Sequence, residues 1–203
     1  SSLTLTGAID GPGDFVLDGG DGMLTIPDAN TFFGSNKRGA ILKRGTLYLS
    51  TTGSTGSARN FANGNTVTNI VLAGGHMKFA SANEEYQTYS VPIQVEENTE
   101  SEITLATHCY FKSRMSGTGD VKFNISYVRS YIDKDSKINS FEGNITANGT
   151  ASGATFFHEG YWNCPNTRFT LTGTIGMVSK TRHATCRLGG LSGDSGTELM
   201  RSE

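Results

Sequence analysis

The stretch Leu3–Ser50 reads LTLTGAIDGPGDFVLDGGDGMLTIPDANTFFGSNKRGAILKRGTLYLS. Three short runs within it, Leu3-Thr4-Leu5, Leu24-Thr25-Ile26 and Leu47-Tyr48-Leu49, alternate so that every second side chain is apolar. Period-two alternation buries one side of an extended chain and exposes the other, which is the signature of a strand. The runs return at an even interval, from Leu3 to Leu24 and from Leu24 to Leu47. Ile70-Val71-Leu72 and then Val91 follow at the same spacing. Further runs stand at Ile103-Thr104-Leu105, Val121-Lys122-Phe123, Phe169-Thr170-Leu171 and Arg187-Leu188. An interval that recurs at just over about twenty positions marks a solenoid, in which one coil is repeated and stacked.

Glycine clusters punctuate the same intervals: Gly11-Pro12-Gly13-Asp14, Gly19-Gly20-Asp21-Gly22, Gly74-Gly75, Gly117-Thr118-Gly119-Asp120 and Gly193-Asp194-Ser195-Gly196. Glycine supplies the positive φ of tight corners, and Asp or Asn closes such turns through its side chain. Sandwiches and barrels also use short strands and glycine turns, but without a fixed interval between them. The expectation is therefore an all-β chain, a right-handed parallel β-helix (β-solenoid) of about eight or nine coils forming one domain over residues 1–203. At a strand spacing of about 4.8 Å the rod is on the order of 40 Å long. Expected inward positions are Leu24, Ile26, Leu47, Leu49, Val71, Ile93, Ile103, Leu105, Phe123, Ile145, Leu171 and Leu188.

The Leu3–Ser50 stretch resembles the autotransporter-associated β-strand repeat of bacterial surface passenger domains. That family runs a glycine-rich LTLxGxIxGxGxL turn into GxGxLTLxGANTFxG and then a GTLxL strand. Asp28-Ala29-Asn30-Thr31-Phe32 and Gly45-Thr46-Leu47-Tyr48-Leu49 fall where the pattern expects them. Ile70 to Ser81 (IVLAGGHMKFAS) is similar to the family's next coil, and Leu188 to Gly193 to its closing glycine turn. The resemblance implies a secreted protein or one held on the outer surface of a bacterium. Ser1 leads directly into a strand, with no signal segment before it, so the chain reads as a processed product or a fragment of something longer.

Composition narrows the function. With 18% charged residues and a net charge of −2, the chain gives no electrostatic reason to expect a nucleic acid or an anionic membrane as partner. No window is apolar enough to span a bilayer, so membrane insertion is not expected. The open ends of a solenoid are strand edges, and end-to-end self-association is the hazard they carry.

Several side-chain groups bear on chemistry. Ala106-Thr107-His108-Cys109 and Gly193-Asp194-Ser195-Gly196-Thr197 echo the histidine and serine motifs of trypsin-like proteases. The second glycine and the proline expected after that serine are missing, and the interval from His108 to Ser195 is short for two barrels. Gly19-Gly20-Asp21-Gly22-Met23-Leu24 begins like a calcium-binding β-helix repeat, but Leu24 stands where the ligand carboxylate belongs. His183 and Cys186, with His158 and Cys164, do not make two compact zinc-ligand pairs. Neither metal nor cofactor is expected.

Asp133-Lys134-Asp135, with Arg129 and Tyr131 before it, is the strongest polar constellation, because two carboxylates on one strand face are the apparatus of glycoside chemistry. The plainer reading of the same residues is a solvated loop at a coil corner. His158-Glu159-Gly160-Tyr161-Trp162-Asn163 holds the one tryptophan, beside a tyrosine and polar groups. It is either a sugar-stacking platform or an aromatic plug closing a coil. Cys164 and Cys186, spaced by one sequence interval, read as a disulfide between equivalent positions of adjacent coils or as two buried apolar residues. Asn124, Asn144 and Asn148 head N-x-S/T sequons, and Glu84-Glu85 and the run Glu96 to Glu102 read as solubilising. The expected function is a non-catalytic, adhesin-like module that binds glycans or proteins. The alternatives are a polysaccharide lyase or glycoside hydrolase on the same scaffold and a purely structural spacer rod.

Overall fold

The computed structural model describes residues 1–6, 12–27, 38–51, 67–81, 87–89, 91–106, 108–127, 130–132, 138–158, 162–179 and 185–201. Among them there is no helix, and all strand pairings are parallel. The chain is a β-solenoid, as its period implies. Each complete coil presents three faces. Face A carries one ladder from Leu3 through Leu24, Leu47, Met77, Ile103, Phe123, Ala147 and Leu171 to Gly193. Face B precedes it in each coil and runs from Leu17 through Leu42, Leu72, Val95 and Gly117 to Phe141. Face C follows face A and, among the described residues, runs from Gln87–Tyr89 through Cys109, Ser130, Phe156 and Met177 to Leu199.

Two expectations need correction here. Turns number about five rather than eight or nine. As far as Leu47 the sequence interval follows face A, with Leu3, Leu24 and Leu47 stacked in register. The interval also crossed between faces. Ile70 pairs with Ala40 on face B, while the face-A partner of Leu47 is Met77, beyond the Gly74-Gly75 corner. Val71 is correspondingly an outward residue: it is half-buried between buried Ile70 and Leu72. Leu188, in register with Cys164, is only partly buried. The other expected inward residues are buried.

Alternation in the strands explains this burial. Glu100–Leu105 and Asp120–Ile125 share one pattern, in which the second, fourth and sixth residues are buried and the intervening ones are not. Stacked inward side chains from all three faces fill the rod. Phe123 of face A meets Phe111 of face C edge-on, with ring centroids 5.5 Å apart, and Phe156 of the next coil at 5.9 Å. Such pairs add about 0.5–1.5 kcal/mol to the burial of their area.

Corners tie successive coils. The hydroxyl of Ser101, which is buried, accepts a hydrogen bond from the Gly74 N–H at 2.9 Å, and Thr167 donates to the Phe141 carbonyl at 2.6 Å. Asp120 Oδ1 accepts from both the backbone N–H and the side-chain amide of Asn144, one coil on. Gly117 turns the B-to-A corner at φ 103°, where a Cβ would collide with the Val95 carbonyl. In the preceding coil the same corner is turned by Asn98 at φ 59°, a conformation Asn tolerates better than most residues. Arg44 and Asp18 form an exposed ion pair at 2.6 Å, a contact of little energetic weight in water.

Phe123 touches aromatic rings on two coils, so removing it leaves a void that the stack cannot close. Phe123→Ala is expected to lose about 3–5 kcal/mol in equilibrium urea unfolding. A loss under about 1 kcal/mol would contradict the packing described.

Candidate functional site

Inward residues fix which side chains of face A point out, and those outward residues form two columns. One holds Thr46, His76, Glu102, Lys122, Thr146, Thr170 and Ser192. The other holds Thr25, Tyr48, Lys78, Thr104, Asn124, Asn148 and Thr172. Parallel register sets successive members about 4.8 Å apart, within reach of one another's polar groups.

The columns are linked by hydrogen bonds that run along the rod. Thr172 Oγ1 donates to Asn148 Oδ1 at 3.0 Å, and Asn148 Nδ2 donates to Asn124 Oδ1 at 2.9 Å. Asn124 Nδ2 donates in turn to Glu102 Oε2 at 2.9 Å. Each donor in this chain faces the N-terminal end, and the chain terminates on a carboxylate. Hydrogen bonds aligned in series polarise one another. Farther along, Thr170 and Ser192 share a hydroxyl–hydroxyl bond of 3.1 Å.

His76 is the hub of the other half. Its Nδ1 lies 3.2 Å from Thr46 Oγ1 and its Nε2 lies 2.7 Å from Thr104 Oγ1. A neutral imidazole has one N–H and one bare nitrogen, so one threonine accepts from the ring and the other donates to it. Burial lowers the His76 pKa from its ordinary value; Glu102 on the next rung opposes that shift and Lys78 adds to it. The Lys78 ammonium lies 5.2 Å from the centroid of the Tyr48 ring, in cation–π range.

Beside His76 the B-to-A corners form a groove of about 520 Å³, lined by Gly20, Asp21, Gly45, Thr46, Gly74, Gly75, His76, Glu100 and Glu102. Its floor is glycine backbone, which lets a ligand approach the main chain directly. Glu100 also lines a second groove of about 460 Å³, together with Glu97, Asn98, Thr99, Thr118, Gly119 and Asp120. The two hollows share a wall along the rod. Their described lining carries five carboxylates and neither lysine nor arginine.

Of the binding residues expected from the sequence, the described ones, Tyr131, His158 and Trp162, are not on face A. Arg129, Asp133, Asp135, Glu159 and Tyr161 lie outside the described residues, as do His183 and Glu84-Glu85. Tyr131 pairs in register with Tyr110 and Phe157, and His158 with Ile132 and Ser179, all on face C. Trp162 is not a platform: it is 1% exposed and stacks on Phe169 at 5.5 Å, so no sugar can reach its face. It plugs the coil. The Cys164–Cys186 disulfide is also overturned. Both thiols are free, and register sets Cys186 beside Trp162 and Cys164 beside Leu188, so the two cysteines are out of step. Burial pushes the Cys164 thiol up to about 12, with a smaller contribution from Cys186, and burial pushes Cys186 up to about 11.

Leu24, at the carboxylate position of the calcium-like repeat, is buried in the face-A ladder. Among the described residues no three His, Cys, Asp or Glu side chains are grouped to hold a metal ion. His108 is a buried ring, stacked on Tyr110 at 5.7 Å and tilted against Tyr127 at 6.0 Å. The sequon residues Asn124 and Asn148 belong to the face-A ladder, and Asn144 is held by Asp120. A signal for the ladder was present in the chain: Asn124 and Asn148 are spaced by one coil, each one position after an inward residue, Phe123 and Ala147.

Comparison with protein-family models, with curated proteins and with solved structures gave no match.

The lowered pKa of His76 means that the unfolded chain binds its proton more readily than the folded one. This contribution to stability is therefore complete above the ordinary value of 6.5 and is lost as pH falls through the lower folded value. Between about pH 7 and pH 5 the urea midpoint of the wild type should fall more steeply than that of His76→Gln. Equal slopes would show that the ring does not titrate as described.

Proposed function

We propose that this chain is a non-catalytic binding module of a secreted or surface-held bacterial protein, adhesin-like, which lays an extended glycan along face A. The observation that carries the reading is the hydrogen-bonded polar ladder, Thr46–His76–Thr104 and Glu102–Asn124–Asn148–Thr172, beside a glycine-floored groove. A glycan offers hydroxyls at a regular repeat, and a row of amides, hydroxyls and carboxylates fixed by one another meets them with little side-chain entropy left to lose. The acidic grooves disfavour phosphate backbones. The bacterial surface setting draws its support from the repeat resemblance of Leu3–Ser50, Ile70–Ser81 and Leu188–Gly193. A right-handed coil is the sense that parallel crossovers overwhelmingly adopt.

A glycan-array screen tests the reading. Asn148→Ala and His76→Ala are expected to weaken the selected glycan by roughly tenfold or more, about 1.4 kcal/mol, with the fold retained. Trp162→Ala should instead lower stability by about 3–5 kcal/mol while the folded fraction binds as before. Retention of full affinity in both ladder variants would remove the glycan from face A. Cleavage of a bound polysaccharide, abolished by Asp133→Asn with Asp135→Asn, would make the chain an enzyme. No binding to any glycan would leave a spacer rod or a protein adhesin.

A further inference from the structure

The two halves of the face-A ladder meet at His76 and Glu102, which are partners in register on adjacent strands. His76 ties Thr46 on the rung before it to Thr104 on the rung after it. Glu102 is the carboxylate on which the run from Thr172 through Asn148 and Asn124 ends. Thr104 shares the strand of Glu102 and is in register with Asn124 on the next rung. A titratable ring and the acceptor end of an aligned hydrogen-bond chain therefore stand side by side, both half-buried.

The position of the proton in the neutral ring follows from the two distances. Hydroxyl donors make shorter hydrogen bonds than N–H donors. The 2.7 Å contact is assigned to Thr104 donating to a bare Nε2, and the 3.2 Å contact to Nδ1–H donating to Thr46. A second proton then goes onto Nε2. Thr104 loses its acceptor, its oxygen accepts from the ring instead, and its O–H turns to another partner. Glu102 on its own strand and Asn124 on the next rung offer that acceptor. The new charge acts in the same direction, because an imidazolium in register with Glu102 draws on the carboxylate that Asn124 Nδ2 now uses. The other charged groups around the ring are Asp21 and Glu100 in the groove and Lys78 on its own strand, with the Tyr48 phenol on the strand before. Lys43 and Arg44 precede the Gly45 corner, and Arg44 is committed to Asp18. Burial opposes the added proton most, Glu102 favours it, and Lys78 opposes it.

We propose that His76 is a pH-sensitive switch at the head of the ladder, whose protonation reverses the Thr104 hydroxyl, weakens the Asn124–Glu102 bond and passes the change along Asn148 to Thr172. Hydrogen bonds in series polarise one another, so weakening the terminal one loosens those behind it. Face A then presents a different pattern of donors and acceptors in mildly acidic surroundings from the one it presents at neutral pH. The switch belongs to the ladder with no ligand bound, and it stands or falls apart from the glycan reading.

Nuclear magnetic resonance of the intact chain, from about pH 8 down to about pH 5, tests this. The neutral His76 ring is expected to carry its proton on Nδ1. As the ring takes up the second proton, the side-chain amide signals of Asn124 and Asn148 should move with the same midpoint, Asn124 further than Asn148. His76→Gln should leave both amides still over that range. Asn124→Ala cuts the ladder, and the Asn148 signal should then stop following the ring. Both substituted side chains point outward, so the core and the circular dichroism stay unchanged. A neutral ring protonated on Nε2 would place the reversal at Thr46, away from Glu102, and overturn the proposal. So would a ring that stays neutral throughout, amides that ignore its titration, or an Asn148 signal that still follows it in Asn124→Ala.

Discussion

Parallel register between successive coils is the constraint on which the molecule depends. A single coil encloses too little to hide its own apolar side chains, and only a neighbour above and below completes the burial. Phe123 is covered because Ile103 and Ala147 lie beside it in the same column and because Phe111 and Phe156 meet it from another face. A slip of one residue in any rung would turn its whole inward set out to water. The corners guard against that slip. Asp120 grips both amide groups of Asn144, and Gly117 admits the Val95 carbonyl where no side chain would fit.

The same register that fills the rod composes its surface. Once Met77, Ile103, Phe123 and Ala147 are fixed inward, their neighbours His76, Glu102, Asn124 and Asn148 must stand outward, close enough to bond across rungs. Asn124 and Asn148 each use the amide to donate in one direction and the carbonyl to accept from the other. His76 bridges two threonines on different rungs in a similar manner. A surface so cross-linked is rigid before any ligand arrives.

Strand existence was legible in the chain, because alternation such as Leu47-Tyr48-Leu49 depends only on which side is buried. Face assignment was less so. Ile70-Val71-Leu72 has an apolar residue at every position, so alternation could not tell which of them point in. Its interval from Leu47 matched a coil by coincidence, while the true partner, Met77, lay past the next glycine corner. The site was harder still. Trp162 drew attention through its chemistry, yet chemistry alone cannot say that Phe169 will cover it. The ladder residues were overlooked for the converse reason: Asn, Thr and His at outward positions are commonplace singly, and acquire meaning only when register sets them in a column.

The registers themselves are open to direct measurement by cross-linking. Thr146 and Thr170 oppose each other on face A, whereas Thr146 and Thr172 are out of step along the strand. Adjacent strands about 4.8 Å apart place the first pair within disulfide reach, and the added strand offset takes the second pair beyond about 7 Å. Thr146→Cys with Thr170→Cys should therefore oxidise readily to a bridge that peptide mass mapping locates between those two positions. Thr146→Cys with Thr172→Cys should resist oxidation under the same conditions. The reverse outcome, or a bridge formed equally well in both, would contradict the stacking from which the core and the polar ladder both follow.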